Sequence, residues 1–406
     1  MGDRARQPRV ARQRRLTPAF EDLITCDWRG LAQGAVLGIR REDDEPHATT
    51  PSHRHSMAVC GAPVDEAALL FGGNVSGSVA GNWVATDELY LARFPDQYWD
   101  EWPSFEALQP DGPRPVGRWG ASLTRLARGG GHSGECAYLW GGWWSGAEAA
   151  DMWALHLREA GPEWRPISRR GPLPTAFHTC TPCQDCNLMV VTGGLGGAGS
   201  ASGLFLFNEE EGWENATQDG PSLAGHCAGH AAGRLVLFGG IERDGSAGLG
   251  NDMFRGATHV FDTRAMRWDP DAVRGEELGG NQTSQTPSRS AKRGWYHAGE
   301  LSPGPRRNAA CATIGNRIIV QGGWDDYTMQ ARRDAWAFDT VRGTWTELFG
   351  DEGGPADNGG PGLEAHKAVV SGFDMYTFGG HSGPGEYPSP TMSVNAISFG
   401  GTVKAV

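Results

Sequence analysis

The sequence predicts an all-β fold in which one domain is built from about six four-stranded antiparallel units, and three observations carry that expectation. The first is composition: 61 Gly and 25 Pro in 406 residues are too many for long helices, while 16 Trp and 39% hydrophobic residues are too many for a disordered chain. The second is a short apolar run ending in Gly-Gly that recurs six times, at Leu69-Leu70-Phe71-Gly72-Gly73, Tyr138-Leu139-Trp140-Gly141-Gly142, Val190-Val191-Thr192-Gly193-Gly194, Val236-Leu237-Phe238-Gly239-Gly240, Ile319-Val320-Gln321-Gly322-Gly323 and Tyr376-Thr377-Phe378-Gly379-Gly380. The third is that the copies share their flanks. Their first glycines stand 69, 52, 46, 83 and 57 residues apart, the spacing of a repeated supersecondary unit with two long gaps.

Each unit reads as strands a to d. Strand a is a small-residue segment, such as Gly120-Ala121-Ser122-Leu123 or Ala309-Ala310-Cys311-Ala312. Strand b is the apolar run, ended by glycine where the chain needs positive φ or a close backbone approach. Strand c alternates with period two and is often opened by an acidic residue, as in Asp87-Glu88-Leu89-Tyr90-Leu91, Asp151-Met152-Trp153-Ala154-Leu155 and Asp334-Ala335-Trp336-Ala337-Phe338. Strand d supplies one tryptophan per unit: Trp99 or Trp102, then Trp164, Trp213, Trp268 and Trp345. A lone four-stranded sheet cannot bury its faces, so these indoles are expected to fill the space between neighbours.

From about residue 51 to 399 this pattern resembles the Kelch repeat. The resemblance implies an all-β, single six-bladed Kelch β-propeller with four antiparallel strands per blade; a seventh, degenerate blade in the 83-residue gap is the alternative. The favoured reading of that gap is an inserted loop at 272–303, which is polar and lacks alternation. The sixth unit has a c strand at Val394–Phe399 but no tryptophan after it. Leu23-Ile24-Thr25-Cys26-Asp27-Trp28 has the right make-up to close the ring as its strand d, giving a basic tail at 1–20 and a propeller at 21–400.

Residues 1–15 hold six Arg against one Asp, leaving −17 on the remainder of a chain whose net charge is −12. An acidic body argues against nucleic-acid binding. No window approaches the ~18 apolar residues of a membrane span, and no apolar signal segment opens the sequence, so no membrane partner and a cytoplasmic or nuclear location are expected. Eight Cys are too sparse for a disulfide framework and are expected to be reduced. Gly194-Leu195-Gly196-Gly197-Ala198-Gly199 matches the dinucleotide fingerprint, but a strand follows where a helix is required. No cofactor is expected. The best metal candidate is His178, Cys180, Cys183 and Cys186, against which stands its place in an a–b turn; ordinary thiols are the favoured reading.

In an up-and-down blade the loops before strand a and after strand b emerge on one face. There the sequence offers Arg54, Arg118 and Arg307 at one repeat position, with Trp143, Trp144, Trp324, Asp325, Tyr327 and His381 after the Gly-Gly pairs. Aromatic residues beside arginine make interface hot spots, and arginine pairs bidentately with carboxylates. These residues point to a protein or peptide ligand, acidic in character, held by an interaction scaffold or recruitment module. The bland alternative is that the arginines are repeat residues bonding backbone carbonyls. An enzyme is the lesser class: some Kelch propellers act on sugars, and a sialic-acid-type epimerase could use the arginines to hold a carboxylate. The channel histidines His226, His230 and His366 would then supply acid–base groups.

Overall fold

A computed structural model of the chain describes residues 39–41 and, with internal gaps of ten residues or fewer, 51–273, 302–350 and 362–399. The described residues contain no helix and form six four-stranded antiparallel sheets. The first is Ala58–Gly61, Ala67–Phe71, Leu89–Arg93 and Ser104–Leu108, innermost to outermost; the second is Ser122–Leu126, Cys136–Trp140, Met152–Arg158 and Gly161–Pro166. The third is Thr179–Cys183, Leu188–Thr192, Leu204–Asn208 and Gly212–Thr217, and the fourth Cys227–Ala231, Arg234–Phe238, Thr258–Asp262 and Arg267–Trp268. The fifth is Ala310–Ile314, Arg317–Gln321, Ala335–Asp339 and Thr344–Phe349. The sixth is Lys367–Ser371, Asp374–Phe378 and Val394–Ser398, completed by Ile39–Arg41 from the other end of the chain.

The innermost strands neighbour one another in sequence order, and the sixth returns to the first. Strands Cys227–Ala231 and Ala310–Ile314 lie side by side, so the 83-residue gap places no innermost strand between them. Strand b of every sheet is packed on both sides; Ala67–Phe71 and Cys136–Trp140 are buried at every residue. The aromatic residue that ends strand b meets the strand-d aromatic residue of the next sheet: Phe71 with Trp164 at 5.4 Å, Trp140 with Trp213 at 4.9 Å and Phe238 with Trp345 at 5.0 Å between ring centroids. These are the inter-sheet fillers expected of the tryptophans. Between the sixth and first sheets Phe105 takes that place against Phe378, and Trp99 and Trp102 lie outside the described residues.

Three sequence expectations change. The outer edge of the sixth sheet is occupied by Ile39–Arg41, pairing with Asn395–Ile397, and not by Leu23–Trp28, which lies outside the described residues together with the basic tail at 1–20. The stretch at 272–303 does not begin outside the core: Ala272 is buried among Trp336 and Trp345, while 274–301 lie outside the described residues. Four cysteines are not free thiols, since Cys183 is bonded to Cys186 and Cys227 to Cys311. The second bridge joins adjacent innermost strands whose Cα atoms stand 5.7 Å apart, within the span that a disulfide reaches. The glycine-rich Gly194–Gly199 segment forms a b–c hairpin and leads into strand Leu204–Asn208, as its flanks require. Among the described residues no helix is long and apolar enough to cross a membrane.

Candidate functional site

The face that carries the d–a connections and the b–c hairpins is organised by three successive residues entering each strand a. The first set is Arg54, Arg118, Thr175, Leu223, Arg306 and Leu363; the carbonyl of each accepts the N–H of the second glycine of a Gly-Gly pair in the preceding sheet, as Arg118 does from Gly73 at 2.9 Å and Arg306 from Gly240 at 2.7 Å. The three arginines point inward. Arg118 donates Nε to Val116 O at 3.0 Å and Nη1 to Gly141 O at 3.2 Å, and grips Asp151 with both terminal nitrogens, at 2.5 and 2.9 Å. Arg306 repeats this with Gly304 O, Gly322 O and Asp334, and Arg54 with Ser52 O, Gly72 O and Glu88. Each is a clamp that ties the end of strand b to the acidic residue opening strand c. Burial alone would raise the Asp151 carboxyl, yet bonds from Arg118 and Trp153 hold it below its ordinary value.

Arg54 and Arg118 are therefore not surface ligands: they are 2% and 1% exposed and their donors are committed to the repeat. Arg307 is not their equivalent; Arg306 is. The one-residue slip matters because successive side chains of an extended chain point to opposite sides. Gly141 shows why this junction needs glycine: with φ +62°, an added Cβ would sit 2.5 Å from Thr175 O and 2.8 Å from His178 Cε1.

The second set, one residue later, faces the mouth of the axial channel: His55, Trp119, Ala176, Ala224, Arg307 and Glu364, each paired with a residue just after a Gly-Gly pair. His55 lies edge-on to His381 at 4.9 Å and to Trp119 at 6.1 Å, and Trp119 edge-on to Phe177 at 5.2 Å. This arc is aromatic. The adjoining arc is ionic: Arg307 bonds Asp326 Oδ2 through Nε at 3.1 Å and Glu364 Oε2 through Nη1 at 3.2 Å, Asn308 donates to the same Glu364 oxygen at 3.0 Å, and the guanidinium lies 6.0 Å from the Trp324 ring centre. Burial raises the Asp326 carboxyl against the pull of Arg307. Burial lowers His381 despite Glu364 at 3.9 Å, and lowers His55 to about 3, helped by the nearby His381 and His53.

The third set closes the channel. Ser56, Gly120, Phe177, Gly225, Asn308 and Ala365 all have φ between 53° and 64°, and the amide of each donates to the carbonyl of its predecessor around the ring at 2.7–2.9 Å, Ser56 completing the circle to Ala365. Immediately below, His178, His226 and His366 stack on the first glycine of the preceding sheet's pair, and burial pushes each to about 3. Neutral and hydrogen-bonded to Ser122, to Thr179 and Thr192, and to Gln321, they pack between the sheets.

The remaining sequence-predicted residues divide by exposure. Trp324 and Asp325 are buried, the carboxylate of Asp325 accepting the amides of Tyr327 and Thr328 and pairing with Arg332. Trp143 is half-buried beside Trp119, whereas Trp144 is 48% and Tyr327 72% exposed at the hairpin tips. Two residues passed over in the sequence, Trp119 and His55, line the mouth; the signal for Trp119 was its place next to Arg118 and before Gly120. At the metal candidate the sulfurs of Cys183 and Cys186 are joined, and Ser122 Oγ bonds both His178 Nε2 at 2.8 Å and Cys180 Sγ at 2.6 Å.

A family model described as the KLHDC2/KLHL20/DRC7 Kelch-repeats domain matches residues 54–277, more than half of the chain, and a Kelch motif model matches 305–348.

Proposed function

The chain belongs to the Kelch-repeat family, whose domains mediate protein–protein interaction, and from that premise we propose that the face bearing the b–c hairpins binds a protein partner and serves as an interaction scaffold. One observation carries the choice of face. Of the eight large apolar side chains left exposed among the described residues, six lie in its hairpins and d–a connections: Val84, Val116, Trp144, Val273, Tyr327 and Met329. Met266 and Val341 alone lie in c–d turns of the opposite face. Exposed apolar side chains gathered on one face favour that face for recognition, and Trp and Tyr give such surfaces their anchors.

The ligand this face suits presents apolar groups to Trp144 and Tyr327 and mixed charge to the mouth. Selection of an acidic peptide by three converging arginines is not part of the proposal. Arg307 alone reaches the mouth, and Asp326 and Glu364 already balance it. The epimerase reading loses the same arginines.

The test is the affinity of a purified partner for Trp144→Ala and Tyr327→Ala chains of wild-type melting temperature. Loss of an anchor costs about 2 kcal/mol, or about 30-fold in Kd. Unchanged affinity in both variants, with loss instead in Met266→Ala or Val341→Ala, moves the interface to the other face.

A further inference from the structure

Lys367 opens strand a of the sixth sheet, a place held by Ala58, Ser122, Thr179, Cys227 and Ala310 in the others. It lines a cavity of about 20 Å³ on the channel axis, together with the residues of the hydrogen-bonded ring and with His178 and His226 of the facing sheets. Its charge is felt by His178, Cys180, His226 and His366. Among the described residues it has neither a hydrogen-bonding nor an ion-pairing partner.

None of its neighbours supplies a negative charge. The three histidines are neutral, and burial raises the Cys180 thiol to about 12. The Glu364 carboxylate is turned to Arg307 and Asn308. The ring amides and carbonyls are consumed by one another. Lys367 retains some contact with solvent entering the channel, yet enough protein surrounds it for burial to lower its ammonium below the ordinary lysine value. An ammonium so placed is thinly hydrated and has no counter-charge among the described residues, which is costly where the local dielectric is low.

We propose that the axial channel is an anion site in which Lys367 holds a small inorganic anion, chloride being the one that fits. Size sets that choice. The enclosed part of the cavity, about 20 Å³, is on the scale of a single small ion, which favours a halide over a bulkier polyatomic oxyanion. The neutral hydroxyl and imidazole groups around it leave Lys367 as the one source of charge, so occupancy depends on that side chain.

The experiment is thermal and urea unfolding of the full chain at fixed ionic strength, with chloride replaced stepwise by gluconate, in wild type and Lys367→Met. Chloride at ten times its dissociation constant is expected to shift the folding equilibrium of wild type about 11-fold, in a saturable manner. Lys367→Met should melt at a temperature independent of the anion. If that variant does not fold, Lys367→Arg keeps the charge and should keep the chloride response, and chloride-35 line broadening by wild type reads binding directly. Equal unfolding in chloride and gluconate, or an equal chloride gain in Lys367→Met, overturns the site. A Lys367-dependent gain from phosphate but not chloride overturns the assignment of a monatomic ligand.

Discussion

Arg306→Ala and Arg307→Ala are neighbouring substitutions with opposite expected consequences. Removing the Arg306 guanidinium leaves the Asp334 carboxylate, 9% exposed, without its two-pronged partner and strips donors from Gly304 O and Gly322 O. Breaking a buried pair from one side costs about 3–5 kcal/mol, because the surviving carboxylate keeps the Trp336 indole N–H but loses its counter-charge. With about 2.1 cal/mol/K of unfolding entropy per residue over 406 residues, that lowers the melting temperature by about 4–6 °C. Arg307 is 28% exposed, and Glu364 keeps Asn308 after its loss, so the cost there is about 1–2 kcal/mol. Arg118→Ala and Arg54→Ala fall between, since Asp151 and Glu88 are 44% and 48% exposed and regain water. Urea unfolding of the four variants gives the order. If Arg306→Ala unfolds like wild type while losing a partner, the clamp is a ligand site and the assignment of these arginines to the repeat is wrong.

Two further expectations follow from the channel and the ring closure. His178, His226 and His366 sit at about 3 in the folded chain against 6.5 unfolded, so below 6.5 the unfolded chain takes up protons that the folded one refuses. Stability is then full above pH 6.5 and falls as pH drops toward 3, by up to about 1.4 kcal/mol per pH unit for each histidine. His226→Gln should flatten urea-unfolding stability between pH 6 and pH 4 by about one proton's slope; identical slopes in the two proteins refute the burial argument. For the closing strand, the N–H groups of successive residues alternate between the ladder and solvent, so one of Ile39→Pro and Arg40→Pro removes a bond to Asn395–Ile397 and should lower the melting temperature, whereas Thr25→Pro, in the segment the sequence favoured, should not; the reverse order in a thermal melt puts the closure at 23–28.

The strands were legible because two local rules agree at each of them: alternation sets the strand, and the Gly-Gly pair sets its end, where only glycine meets both the positive φ and the approach of the next sheet. The inter-sheet indoles were legible because each is the one tryptophan of an outer strand. The face was misjudged at Arg307. Tandem Arg306-Arg307 and variable distances to the Gly-Gly pair leave the register open by one residue, and one residue decides between clamp and mouth. A resolving signal was present: Asp87-Glu88, Asp151 and Asp334 open strand c in the three sheets that carry an inward arginine, and no acid opens it where Thr175, Leu223 or Leu363 stands. The closing strand was not legible, because Ile39-Arg40-Arg41 has neither alternation nor an aromatic residue; its pairing is set by the open edge of Val394–Ser398, a tertiary fact.

Hydroxyl-radical footprinting of the complex with a purified partner tests most directly whether one face of the disc is the recognition surface. Trp144, Tyr327 and Met329 are reactive, exposed and on that face, while Met266 lies 42% exposed in a c–d turn on the other. Protection of Trp144, Tyr327 and Met329 with Met266 oxidised as in the free protein is the predicted result; protection of Met266 with the three hairpin residues unchanged would contradict it.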